Sequence, residues 1–99
     1  MTGFASCVRC VVKPGNEEVF LGKLKEFKLP TGALSHIAVS TGERSYCTFV
    51  TWQAESDLVN ARPEMIAFLD TIRDLLEEIS PELGVTDPVS GPIVHQDNA

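Results

Sequence analysis

The stretch Ser45–Trp52, SYCTFVTW, limits the fold more than any other part of the chain. Its aromatic and β-branched residues read as a strand. Strand side chains alternate between two faces. Tyr46, Thr48, Val50 and Trp52 therefore share one face, and Cys47, Phe49 and Thr51 share the other. Neither face is plainly polar, so a sheet built around this strand needs cover on both sides. A chain of 99 residues suits one domain with one modest core. Residues 1–99 are therefore read as a single domain, with part of the cover coming from outside the chain.

The elements on either side follow from local chemistry. Phe4 to Lys13 reads as a first strand, ended by Pro14-Gly15. Asn16 then suits a helix N-cap, with Glu17 and Glu18 where the helix dipole favours negative charge. Phe20, Leu24 and Phe27 recur on one helical face, and Leu29-Pro30-Thr31-Gly32 stops the helix. A second strand runs from Ala33 to Ser40, with Ile37 and Val39 on one face and His36 and Ala38 on the other. Thr41–Arg44 reads as a hairpin connection into Ser45–Trp52. Ala54–Ala61 predicts a short helical segment. A longer helix opens at Pro63, a favoured first helical position, and its apolar repeat from Met65 to Ile79 carries it to Ser80-Pro81. A loop, PELGVTDPVSG, leads to a last strand at Pro92–Gln96 and a frayed tail at 97–99.

This β-α-β-β-α-β order is the ferredoxin-like pattern of an α+β protein. It predicts a four-stranded antiparallel sheet with both helices on one face. A second copy of the chain is the economical cover for the other face, which makes a homodimer the expected partner.

Charge narrows the function classes. Eight Lys and Arg stand against fourteen Asp and Glu, a formal net charge of −6. That balance lacks the positive field that nucleic acid or an anionic membrane requires. No run approaches the roughly 18 apolar residues of a membrane span. The opening MTGFASCVRCVVK has no basic residue before its apolar part, unlike a secretory signal. Three cysteines cannot all pair within one chain, which fits a reducing compartment, so the expected location is cytoplasmic.

Two of those cysteines form CVRC, residues 7–10, a spacing shared by redox pairs and half zinc sites. In a strand, Cys7 and Cys10 point to opposite faces, with Cα atoms about 10 Å apart. A disulfide requires less than about 7 Å. A redox pair sits at a helix start, whereas here Val11-Val12 and a proline turn follow. A zinc site would need two more suitably spaced ligands, and only His36, Cys47 and His95 are at hand. CVRC reads as strand, with no metal expected.

No GxSxG, phosphate-binding loop, GxGxxG or HExxH is present. The candidate site residues are therefore individual ones. His36 suits either a hydrogen-bonded place at a sheet face or interface, or a proton acceptor in a pocket. Arg9 suits either an ion pair or an anionic ligand. Tyr46 and Trp52 suit core or an aromatic substrate pocket. Asn60 and Arg62, at the junction of the two helical segments, suit capping and surface charge or a place in the same pocket.

From about residue 4 to 96 the chain resembles the antibiotic biosynthesis monooxygenase-like proteins. The likeness rests on VVKPGNEEVF, on SYCTFVTWQAESDL with its tryptophan-to-helix junction, on RPEMIAFLDTIRDLLEEI and on VSGPIV. It implies a dimeric α+β barrel with a small-molecule pocket between each sheet and its helices. Members include cofactor-independent oxygenases of polycyclic phenols and quinols, haem-degrading enzymes and proteins of no known activity. The haem-degrading branch uses an asparagine on the first strand, and a tryptophan and a histidine on the helix after the third. Here the first strand offers Cys7, Val8, Arg9 and Cys10, and no histidine lies between His36 and His95. Quinol oxygenase relatives often place a histidine where this chain has Asn60 or Ala61.

Two functions follow from the resemblance. One is a small-molecule-binding protein without catalysis. The other is an oxidoreductase, a cofactor-free monooxygenase acting on an electron-rich phenol or quinol. In that reading His36 is the base, Arg9 or Arg62 holds the anion, and Tyr46 and Trp52 shape the pocket. Neither reading calls for a cofactor, and a small aromatic ligand suits both.

Overall fold

Pairing along the first strand organises the sheet. The computed structural model describes residues 3–97, so the last two positions of the expected frayed tail lie outside the described residues. Strand β1 (Phe4–Val11) lies between β3 (Ser45–Trp52) and β4 (Asp87–Pro92), and β2 (Ala33–Gly42) pairs with the far side of β3. All three pairings are antiparallel, giving the order β2-β3-β1-β4. Helices α1 (Glu17–Glu26) and α2 (Glu55–Ile72) complete the ferredoxin-like α+β fold.

Local signals place α1 and α2. Helix α1 has Glu17 and Glu18 in its first turn and Lys23 and Lys25 in its last, both complementing the dipole. At the start of α2 the Asp57 carboxylate accepts the Ala54 N–H at 3.1 Å, satisfying a donor the helix cannot. That side chain lies so close to Gly32 that a Cβ there would collide with it, and Gly32 also holds φ +89°. Glycine is the residue that meets both demands.

Two expectations from the sequence need correction. The predicted break before Pro63 is absent, since α2 runs through it. The carbonyl that Pro63 leaves without a donor belongs to Val59, which is exposed, so water can satisfy it. The helix also stops earlier than its apolar repeat, at Ile72, followed by one 3-10 turn, Arg73–Leu75. Leu76 is extended and bridges Val12. The Arg44 guanidinium, from the β2–β3 turn, donates to the Val12 carbonyl at 2.9 Å and to Glu77 at 3.2 Å. Leu76 is thus buried by pairing with the end of β1, and its place in the helical repeat is coincidental.

The last strand is the third correction. It occupies Asp87–Pro92, earlier than the expected Pro92–Gln96. Pro88 and Pro92 argue against a strand in the middle of a sheet. On the edge strand β4 they are tolerated.

The buried core falls into two clusters. One joins Cys10, Val12, Phe20, Tyr46, Ile72 and Leu76. The other joins Phe4, Val50, Trp52, Leu58 and Ala61. Both occupy the helix-covered side of the sheet. On the opposite side, Ile37, Phe49, Cys7 and Val89 form one row across all four strands by register. Ile37, Phe49 and Val89 in that row are exposed, as is Val39 beside it.

Candidate ligand cavity between sheet and helices

The gap between the two core clusters is a cavity of about 500 Å³, within the range of small-molecule sites. Its roof is apolar, made by Phe20 and Leu24 of α1, by Phe27 just past its end, and by Met65, Phe68 and Leu69 of α2. Its floor comes from alternate residues of the strands. The register lines up His36, Val50, Ser6 and Ser90 in one row, and all four line the cavity. Thr48 and Val8 lie in the next row. Hydroxyls thus face an apolar roof.

The imidazole of His36 sits against the Phe27 ring, with centroids 4.8 Å apart. Phe27 in turn meets Phe68 edge-on at 5.0 Å. Burial pushes the His36 pKa below its ordinary value of 6.5, because desolvation disfavours the imidazolium. The ring is therefore neutral at neutral pH and has one nitrogen free to accept a proton. Arg62 supplies the one formal charge among the described lining residues. It lies one turn after Leu58 on an exposed part of α2, so its head remains hydrated while its stem borders the cavity.

The other candidates lie elsewhere. Arg9 is on the uncovered face, where Nη2 donates to Asp87 Oδ2 at 3.1 Å. The sheet itself separates it from the cavity, because alternation opposes it to Val8. Tyr46 is buried in the first cluster with its ring 5.0 Å from Phe20. Trp52 is fully buried, and its Nε1–H donates to Ser6 Oγ at 3.1 Å. Neither aromatic lines the cavity. Asn60 is exposed on α2, since the continuous helix buries Leu58 and Ala61 and turns Val59 and Asn60 between them outward.

Ser6 and Thr48 are lining residues that the sequence reading did not single out. Ser6 had a usable signal: it alternates with Val8 and Cys10, so it is a polar residue at an inward position. It is also the buried polar residue of the described core.

The thiols follow the strand pattern. All three cysteines are free, with Cys7 and Cys10 on opposite faces. Burial pushes the Cys10 thiol up to about 11. Burial, and then the neighbouring Cys47, also raise Cys7. Among the described residues no group of three or more His, Cys, Asp or Glu is placed to hold a metal, and no helix is long and apolar enough to cross a membrane.

No family model and no curated protein matches the sequence. Solved structures do match. A protein from Chloroflexus aurantiacus named for antibiotic biosynthesis monooxygenases has a TM-score of 0.74 at 12% identity, covering 97% of each chain. A dimeric ferredoxin-like protein from an uncultured marine organism has a TM-score of 0.73 at 12% identity, covering 100% of this chain and 94% of that one. SnoaB, a cofactor-independent oxygenase from Streptomyces nogalater, has a TM-score of 0.63 at 14% identity, covering 99% and 97%. The chain therefore has the ferredoxin-like fold found among the antibiotic biosynthesis monooxygenase-like proteins.

Proposed function

We propose that this protein binds a small, largely apolar molecule in the space between its sheet and helices, and that it works as a cytoplasmic homodimer. The observation that carries the binding reading is the divided core. A chain this short gains most stability from one continuous core, yet here two clusters flank about 500 Å³ of mainly apolar space. A cavity of that size costs stability when it has no occupant. The dimer reading rests on the exposed row of Ile37, Phe49 and Val89, supported by the dimeric neighbour of the same fold. The test is to fill the space. Val8→Trp places an indole in the cavity; it abolishes saturable binding of naphthalene-sized fluorescent probes and leaves the fold intact. Undiminished binding in that variant refutes the site.

The second reading is a cofactor-independent monooxygenase acting on an electron-rich phenol or quinol. It is favoured by the neutral His36 imidazole on the cavity floor, with Arg62 near enough to border the same space, and by the fold shared with SnoaB. Such substrates react with oxygen as anions, so the protein's task is deprotonation and orientation away from water. Oxygen uptake with hydroxynaphthalenes and anthrones checks it. Turnover unchanged by His36→Ala contradicts it.

A further inference from the structure

We propose that Ser6 is the residue that selects the cavity's ligand, donating its hydroxyl proton to a carbonyl-type oxygen on an otherwise apolar molecule, and that Trp52 is its positioning residue. The proposal rests on the cavity reading and adds a ligand class and a specificity residue to it. An indole nitrogen can only donate, so Ser6 Oγ must be the acceptor in the 3.1 Å bond from Trp52. That bond occupies one lone pair and fixes where the remaining lone pair and the O–H can point. Among the described residues no acceptor takes the Ser6 proton. Ser6 is nevertheless buried, and its side chain lines the cavity. A buried hydroxyl with an uncommitted proton is unfavourable unless an acceptor arrives, and an incoming ligand can supply one.

Trp52 suits the positioning role because it is fully buried and lies outside the lining. It holds Ser6 from the side, within the second core cluster on the same face of the sheet. His36 occupies the same row as Ser6 with Val50 between them, so the two polar groups are two strands apart, about 10 Å. A ligand bonded to Ser6 therefore leaves His36 for its other end. The neutral Ser6 donor, on a floor shared with Ser90 and Thr48, favours an uncharged oxygen acceptor at this end.

The experiment compares 1-tetralone, which carries one ketone, with tetralin, which has none. Calorimetric titration measures both against wild type, Ser6→Ala, Ser6→Thr and Trp52→Phe. The expected result is a ketone-to-hydrocarbon affinity ratio that falls about fivefold in Ser6→Ala, from loss of one net hydrogen bond. The ratio is kept in Ser6→Thr, which retains the hydroxyl, and partly lost in Trp52→Phe, which removes no cavity-facing atom. Infrared spectra of bound 1-tetralone supply a second readout: a carbonyl stretch below its value in alkane for wild type, shifted back toward that value in Trp52→Phe. That readout does not depend on Ser6→Ala folding. An unchanged ratio and an unshifted carbonyl, with both probes still bound, overturn the Ser6 assignment and leave the cavity reading standing. No binding of either probe to wild type overturns both.

Discussion

Replacing Trp52 by phenylalanine and Ser6 by alanine, singly and together, measures how the cavity floor is held. Trp52 is fully buried. Trp52→Phe removes roughly 40 Å³ of side chain, about 1 kcal/mol at the usual cost per unit of cavity volume. Loss of the hydrogen bond to Ser6 adds about 1 kcal/mol, so the single variant is less stable by about 2 kcal/mol. Ser6→Ala leaves a buried indole N–H without an acceptor, which costs about 2 kcal/mol. The double variant has no orphaned donor and no lost bond left to count twice. It is therefore destabilised by about 2 kcal/mol, no more than Trp52→Phe alone and roughly 2 kcal/mol less than the sum. Urea unfolding at fixed protomer concentration reads all four proteins, since association would otherwise shift the midpoints. Additivity within about 0.4 kcal/mol refutes the claim that the two side chains act as a unit.

Three further outcomes are expected. Phe49→Glu sets a charge in the centre of the exposed apolar row, and sedimentation velocity then shows monomer at micromolar concentration where wild type is dimeric. The depressed His36 pKa means the unfolded chain binds the proton more tightly, so stability from this residue is complete above pH 6.5 and falls as pH drops through the folded-state value. His36→Gln flattens that part of the stability–pH curve, and an unaltered curve would exclude His36 as its source. With its pKa near 11 against an ordinary 9.0, Cys10 in the native protein alkylates about a hundredfold more slowly than an unperturbed thiol at pH 8, on thiolate population alone; peptide mapping after iodoacetamide treatment distinguishes it from Cys7 and Cys47.

The parts of the fold legible in the sequence were those with strong punctuation or clean alternation. Pro14-Gly15 ends β1, Asn16-Glu17-Glu18 opens α1, and the alternation in Ser45–Trp52 marks β3. Where one pattern has two physical causes, the reading failed. Leu75, Leu76 and Ile79 extend a helical repeat, but Leu76 is buried by bridging Val12. Pro88, Ser90 and Gly91 look like loop, yet an edge strand accommodates them. The site was legible only in part, because both faces of the sheet are apolar and alternation cannot say which one the helices cover. Alternation set Arg9 with Cys7 and against Val8, but the structure was needed to show that Val8 faces the cavity and Arg9 pairs with Asp87. Tyr46 and Trp52 share the inward face with Val50, and their burial in the two core clusters depends on how α1 and α2 pack over the sheet. The Ser6–Trp52 bond joins residues far apart in the chain and rests on the β1–β3 register, which one sequence does not supply.

The most direct measurement is native mass spectrometry of the untagged protein, purified gently from its own cells, beside its Val8→Trp variant. The expected result is a dimer carrying an extra small-molecule mass in the wild type, and a dimer without that mass in the variant. A monomer would contradict the dimer reading. An added mass retained by Val8→Trp would place the ligand outside the space between sheet and helices.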